Sequence, residues 1–371
     1  MNQGMTFKDW IRRKVFRLYR KSVTAEHELT YLFWECTLRC NLNCLHCGSD
    51  CLKKSSVPDM PLADFVHALE GIRKKNPFKN MTVCITGGEP LLRGDLERAG
   101  AAIRRLGFNW CIVSNGLLMT ESRFSSLVRS GLGGMSLSID GLESEHNRLR
   151  NNSASFAAVV NAIDLCVAQH EKNPKLFLFD VITCVHSGNI SVLPELRDFL
   201  IGKGVKAWRL FSIFPNGRAA KNDLALSPSE YMKFMDFIVE TRSYRDKVGR
   251  SIHASYSCEG YLGDYELKVR DFFFFCRGGI NIGSIMCDGS ISACLSVRSP
   301  AFVQGNIYKD DFMDVWNSRF DNMRNRSWAK VGKCAVCRNW NWCEGNGLHL
   351  HKDDKSECSH CNLEMLSQIG G

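Results

Sequence analysis

Thr30-Tyr31-Leu32-Phe33-Trp34-Glu35-Cys36-Thr37-Leu38-Arg39-Cys40-Asn41-Leu42-Asn43-Cys44-Leu45-His46-Cys47 carries two signals in one stretch. Its first part, Thr30–Cys36, is rich in aromatic and apolar side chains and predicts a buried strand. Three cysteines follow within eight residues, as C-x3-C-x2-C. A strand running into clustered thiols places them at the C-terminal mouth of a parallel sheet, where α/β folds keep their chemistry. Three thiolates at this spacing suit a compact, soft iron–sulfur core. Three ligands for a four-iron cluster leave one iron open to chelate a small molecule. Zinc is the competing reading, with Cys36, His46 or Cys51 as fourth ligand, although structural zinc favours C-x2-C pairs.

Downstream of this stretch, short apolar runs alternate with amphipathic ones. Strands are predicted over 30–36, 81–86, 110–114, 135–139, 176–184 and 207–214. Helices are predicted over 61–74, 95–106, 121–130, 156–169 and 192–203. Six strands alternating with helices imply a parallel α/β sheet with right-handed crossovers. Six units fall short of the eight that close a barrel, so a partial (β/α)6 TIM barrel is expected. Residues 226–250 look helical, with Ser227, Pro228 and Ser229 near the start. Beyond them the chain is dense in Cys, Gly, Asn and Trp, with short strands inside 280–294 that turn at Asp288-Gly289. The expected division is a basic N-terminal extension (1–29), the barrel (30–225), a helical connector (226–255) and a small Cys-rich α+β cluster-binding domain (256–371).

The chain has 371 residues, 44% hydrophobic and 23% charged, which suffices for a core without disulfides and excludes disordered, collagenous and low-complexity classes. Its 18 cysteines fall well below the ~8–10% of small disulfide scaffolds. The first 30 residues lack a signal-peptide pattern, and no run approaches the ~20 apolar residues of a membrane span. A cytoplasmic location is expected, where clustered thiols stay reduced and bind metal. Part of the net charge of +9 lies in residues 1–30. There Ile11, Val15 and Leu18 at i, i+4, i+7 predict a basic amphipathic helix. Such a helix could touch a membrane surface or an acidic peptide. The favoured reading is an accessory helix packed on the main domain with its basic face in water. The positive charge forms no stripe beside stacking aromatics, so no nucleic-acid partner is expected.

Trp34–Arg39 followed by C-x3-C-x2-C resembles the radical S-adenosylmethionine enzymes, a resemblance that covers roughly residues 30–220. It implies that Cys40, Cys44 and Cys47 hold a catalytic 4Fe–4S cluster whose open iron binds the amino and carboxylate groups of S-adenosylmethionine. In that family an electron from the cluster cleaves the sulfonium bond, and the 5′-deoxyadenosyl radical takes a hydrogen atom from the substrate. Thr86-Gly87-Gly88-Glu89-Pro90 resembles the family's GGEP motif, which implies that Gly87, Gly88 and Glu89 meet the methionine amino group. Ser114-Asn115 and Ser138-Ile139-Asp140 end the third and fourth predicted strands and are implied cofactor contacts. His146-Asn147-Arg148-Leu149-Arg150 resembles H-D-x-x-R with Asn147 for the aspartate, and Arg150 would pair with the methionine carboxylate. His46 occupies the position that meets adenine in relatives. Pro215-Asn216-Gly217-Arg218 resembles a P-x-G-R segment of similar proteins.

The tail resembles the SPASM domain, whose pattern is C-x(9–15)-G-x4-C, then C-x2-C-x5-C-x3-C, then a final Cys. Here Cys276, Gly289 and Cys294 are followed by Cys334-x2-Cys337-x5-Cys343 and Cys358-x2-Cys361. The resemblance implies two auxiliary 4Fe–4S clusters. The fourth cysteine of the middle block is missing, since position 347 is glycine. Three clusters then need an eleventh ligand, which could be Cys258 or, second to it, Cys287; otherwise one auxiliary cluster keeps an open iron or takes a non-cysteine ligand such as His349, His351 or His360. A zinc ribbon built from Cys334, Cys337, Cys358 and Cys361 is the alternative. Cys36, Cys51, Cys84, Cys111, Cys166 and Cys184 read as small buried hydrophobes.

The expected function is radical modification of a peptide or protein, with an external electron donor such as flavodoxin or ferredoxin. The alternatives are a small-molecule dehydrogenase or epimerase, for example on a carbohydrate, and a zinc-binding non-enzyme. Sulfatase maturation is disfavoured, because Leu295 stands where those relatives carry an aspartate. No residue is singled out as a general acid or base.

Overall fold

A computed structural model describes residues 7–76, 80–213, 217–257 and 260–367; Cys258, Pro215 and Asn216 lie outside these ranges. Ten strands form one sheet among the described residues: β1 Tyr31–Thr37, β2 Thr82–Gly87, β3 Asn109–Ser114, β4 Gly134–Ser138, β5 Leu178–Val185, β6 Ala207–Ser212, β7 His253–Tyr256, β8 Ile282–Ile285, β9 Ser290–Ser292 and β10 Gly305–Asn306. Their order is β10-β9-β8-β1-β2-β3-β4-β5-β6-β7. From β8 to β7 every pairing is parallel, and only the β8–β9–β10 meander is antiparallel. The fold is α/β with the sheet of a partial TIM barrel, and the C-terminal third joins that sheet at both edges through β7 and β8.

The helices are α1 Phe7–Glu26, α2 Leu62–Lys75, α3 Leu96–Arg105, α4 Glu121–Arg129, α5 Glu143–Arg150, α6 Ser155–Lys172, α7 Leu193–Gly202 and α8 Pro228–Ser243, followed by shorter helices. A reciprocal capping box of Ser227 and Glu230, with Pro228 at the first position, starts α8. The β8–β9 turn at Asp288-Gly289 uses Gly289 at φ 86°, which favours glycine. Trp34, Trp110 and Trp208, from β1, β3 and β6, are fully buried. Trp34 stacks on Phe65 of α2, with centroids 3.9 Å apart. This packing fixes the central strands, and their C-terminal ends all open on one edge.

Helix α5 was not predicted as an element, only as a motif. It ends at Arg150 because Asn151 adopts a left-handed conformation, φ 53°. That stop presents Arg150 to the strand ends.

Helix α1 packs on the C-terminal region, but not by its apolar stripe. Ile11, Val15 and Leu18 face outward, 41%, 59% and 69% exposed. The seated face carries Arg13, Phe16 and Arg20. Arg13 donates to the Tyr261 hydroxyl. Arg20 donates to the carbonyls of Trp342 and Asn341, each at 3.1 Å, and pairs with Glu344. Phe16 lies against Phe273, centroids 5.2 Å apart. Charge-assisted hydrogen bonds to backbone carbonyls outcompete the stripe because they satisfy the C-terminal end of the short helix Trp340–Cys343. Among the described residues no helix is long and apolar enough to cross a membrane.

Arg20→Ala is therefore expected to lower unfolding free energy by about 1.5–3 kcal/mol, and Leu18→Ser by no more than about 0.5 kcal/mol. Urea unfolding of the anaerobic holoprotein reads both. Equal losses would mean that α1 is seated on its apolar face.

Candidate active site

The cysteine loop leaves β1 and is stitched at several points. Cys40 N–H donates to the Leu52 carbonyl at 2.8 Å and Leu45 N–H to Leu149 at 2.9 Å. Cys40, Leu42, Cys44 and Cys51 form a small buried cluster, against which Leu38, Cys47 and Leu117 pack. Arg218 ties the loop from the far side. Its backbone N–H meets the Cys47 carbonyl, and its guanidinium meets the Cys44 carbonyl at 2.7 Å and Asp50 at 2.7 Å. Only Gly217 and Arg218 of the P-x-G-R segment are described, and here Arg218 is the residue that clamps.

Gly87 and Gly88 sit where β2 leaves the sheet beside the β1 exit. A Cβ on Gly87 would stand 2.2 Å from the Thr37 carbonyl oxygen, and one on Gly88 would stand 2.1 Å from that of Arg39. Neither contact is tolerable, so glycine is required by the approach of the two backbones. The reward is a hydrogen bond from Gly88 N–H to Thr37 O, 2.7 Å, and one from Glu89 N–H to Arg39 O, 2.9 Å.

The Glu89 carboxylate is fully buried. It accepts from Leu91 N–H at 3.0 Å, Ser114 Oγ at 2.8 Å and Asn115 N–H at 2.8 Å. Burial raises its pKa, and these donors pull it back. Glu89 thus braces the β3 exit from behind, while Asn115 reaches forward, its amide 3.9 Å from Cys40 Sγ.

Arg150 comes forward in the same way. Its Nε donates to Asp140 Oδ2 at 2.6 Å and its Nη1 lies 3.8 Å from Cys44 Sγ. Asp140 is fully buried and also accepts from Cys184 N–H at 3.0 Å. Burial opposes its charge, but Arg150 and the neighbouring histidines overcome that and hold its pKa low. His146 accepts the Asp140 N–H at 3.1 Å and bonds Ser155, a structural task. Burial, with the Arg150 charge, holds His46 neutral at a pKa of about 3. Donor atoms of His46, Asp140 and Cys184 lie within 4.8 Å of one another. They do not make a cation site, because the Arg150 guanidinium already neutralises the carboxylate.

These parts enclose a cavity of about 350 Å³. Cys40, Cys44, Cys47, His46, Gly87, Gly88, Ser114, Asn115, Ser138 and Arg150 all line it, whereas Glu89 and Asp140 stand behind its wall. The thiol, hydroxyl, amide and guanidinium groups fit a thiolate-ligated cluster with an amino-acid ligand beside it. Glu35, Arg218, Leu295, Ser296 and Arg298 also line the cavity, and of these only Arg218 and Leu295 were noted from sequence. Arg298 pairs with the buried Glu35 of β1 and donates to Ser49 Oγ at 2.8 Å. Their separation of 263 residues hides that pair from any local pattern.

Five tail cysteines gather separately. Burial raises the Cys334 pKa to about 11, with Cys358, Cys361 and Cys337 adding their charge. Burial likewise pushes Cys343 up to about 12, with Cys361 and Cys358 contributing. Asn346 exchanges hydrogen bonds with Cys343 Sγ at 3.1 and 3.2 Å and donates to Cys358 Sγ at 3.7 Å. Cys276 and Cys294 instead line another cavity, of about 320 Å³. Cys287 belongs to neither place: its thiol donates to the Pro58 carbonyl and its N–H to Glu35. Cys36, Cys51, Cys84 and Cys166 are buried, as expected of packing thiols, whereas Cys111 and Cys184 are half-buried.

Residues 34–200 match the model of the radical SAM superfamily, and residues 276–338 match that of SPASM, an iron–sulfur cluster-binding domain. The chain therefore carries a radical SAM domain and, more particularly, a SPASM domain C-terminal to it, and these domains bring 4Fe–4S clusters and S-adenosylmethionine as cofactors. Fe-coproporphyrin III synthase of Methanosarcina barkeri is 26% identical over 341 residues, 84% of this chain and 82% of that protein. Mycofactocin maturase MftC of Mycolicibacterium smegmatis is 26% identical over 323 residues, 85% and 76% of the two chains. The crystal structure of Streptococcus suis SuiB bound to its precursor peptide SuiA superposes with a TM-score of 0.68 at 18% identity, covering 92% of this chain and 78% of that one.

Asp140→Asn would leave Arg150 buried without its counter-charge. We expect about 3 kcal/mol or more of lost stability, together with weaker S-adenosylmethionine binding by the anaerobic holoprotein in equilibrium dialysis. Unchanged binding would mean that Asp140 does not position Arg150.

Proposed function

We propose that this enzyme modifies a peptide or protein by radical chemistry, in the manner of a maturase. The observation that carries the reading is that Leu295, Ser296 and Arg298, from the SPASM segment, share one cavity wall with the cysteine loop. On this reading the auxiliary domain stands at the substrate side of the site. The mycofactocin maturase, similar over 85% of this chain, supports a polypeptide substrate. The superfamily is one of enzymes, which sets the zinc-protein reading aside.

Cys40, Cys44 and Cys47 hold the catalytic cluster, and Gly87 and Gly88 let a ligand approach backbone. Ser114, Asn115 and Ser138 offer polar atoms at the strand tips. Arg150, set by Asp140, receives a carboxylate, and neutral His46 packs beside it. When bound, the reduced cluster and S-adenosylmethionine supply hydrogen-atom abstraction. The wall residues Leu42, Leu295 and Arg298 narrow the cavity and limit water there. The electron comes from a small donor such as flavodoxin or ferredoxin, and the setting is cytoplasmic.

A second reading is favoured by one observation: Fe-coproporphyrin III synthase is equally similar, 26% identical over 84% of this chain. In that case the substrate is a carboxylated small molecule.

The two readings separate in one assay. The reconstituted enzyme with S-adenosylmethionine and reductant is incubated either with short peptides encoded beside its gene or with a more highly carboxylated iron-tetrapyrrole precursor of iron-coproporphyrin III. The proposal expects a mass change in a peptide and none in the tetrapyrrole. Turnover of the tetrapyrrole alone would replace the first reading with the second.

A further inference from the structure

Gly347 leaves the SPASM pattern one cysteine short, and two residues later the chain carries His349. His349 lies on the helical turn Leu348–Leu350. That turn brings it to the wall of the cavity of about 320 Å³ that Cys276 and Cys294 also line. None of the other replacement candidates among the described residues lines this cavity. His351 is within hydrogen-bond reach of the Ser356 carbonyl through Nδ1 and the Gly345 carbonyl through Nε2, at 3.1 and 2.6 Å. The His360 carbonyl accepts from the Cys358 thiol at 2.9 Å, which puts its segment with the five-cysteine group. Cys287 bonds to the Pro58 carbonyl, against the β1 exit. Cys258 lies outside the described residues.

In Rieske two-iron centres histidines take the place of cysteines on one iron, so imidazole can stand in for thiolate on iron–sulfur iron.

We propose that His349, with Cys276 and Cys294, ligates an auxiliary iron–sulfur cluster in this cavity, in place of the cysteine that position 347 lacks. The inference rests on the radical SAM/SPASM reading and adds a ligand to it. A neutral imidazole carries less negative charge than a thiolate, so the cluster is easier to reduce than its all-cysteine counterpart. Ser296 lines both this cavity and the active one, so the two cavities adjoin.

The test uses the full chain with Cys40, Cys44 and Cys47 all changed to Ala, reconstituted anaerobically, so that only auxiliary clusters remain. About eight irons per chain are expected. Pulsed EPR of the reduced protein is expected to show nitrogen coupling from a ligated imidazole. His349→Ala should remove that coupling and about four irons. His349→Cys should keep the iron, lose the coupling and shift the midpoint potential downward in a redox titration. Absence of imidazole coupling in the parent, with iron unchanged by His349→Ala, would overturn the proposal. Should the triple variant not fold, the same His349 comparison in the wild-type chain without S-adenosylmethionine gives the answer. Failure of the underlying reading shows separately, as iron content that removal of Cys40, Cys44 and Cys47 does not lower.

Discussion

Two backbones meet at the exits of β1 and β2, and everything in the active site depends on how closely they do so. The loop from Leu38 to Leu52 has no helix or strand of its own, only an isolated bridge between Arg39 and Leu52 that closes its base. It is held because Gly87 and Gly88 let Thr37 and Arg39 approach to hydrogen-bond distance, where any Cβ would collide with a carbonyl oxygen. That contact sets where Cys40 begins. Arg218 and Leu149 then fix the rest of the loop through backbone hydrogen bonds. A metal-binding loop anchored by its backbone keeps its thiols free to point at the ligand.

Behind this loop lies a layer of buried charge. Glu89, Asp140 and Glu35 are each almost wholly removed from water. Each is matched by donors or an arginine: Ser114 and Asn115 for Glu89, Arg150 for Asp140, Arg298 for Glu35. Breaking one of these matches is costly because it strands a buried charge. The layer explains why the polar tips of β3 and β4 stand forward into the cavity while their acidic neighbours do not. It also joins the two halves of the chain, since Glu35 belongs to the first strand and Arg298 to the SPASM segment.

Much of this was legible in sequence where the signal is local. The six predicted barrel strands match β1 to β6 within about two residues at each end, because their apolar runs are bounded by turn residues. The cysteine loop and the GGEP segment announce themselves by spacing. What escaped has a long-range cause. Glu89 and Asp140 sit inside motifs, but their burial is set by partners outside those motifs: Ser114 and Asn115 for Glu89, and Arg150 with the Cys184 N–H for Asp140. β7 is four residues long, too short for a periodic signal; β8 was legible as one arm of the hairpin inside 280–294, but its place beside β1 follows from tertiary pairing. Helix α1 shows the limit of amphipathicity, since its stripe predicts a helix but the arginines decide which face is seated.

The central claim is that Cys40, Cys44 and Cys47 form a redox centre that acts on S-adenosylmethionine. The most direct measurement is the yield of 5′-deoxyadenosine from anaerobically reconstituted wild-type protein given S-adenosylmethionine and a strong reductant, beside Cys44→Ala. The account predicts formation by the wild type and none by the variant, with the auxiliary iron retained. Equal yields from the two, or none from a wild type that holds its full iron, would contradict it.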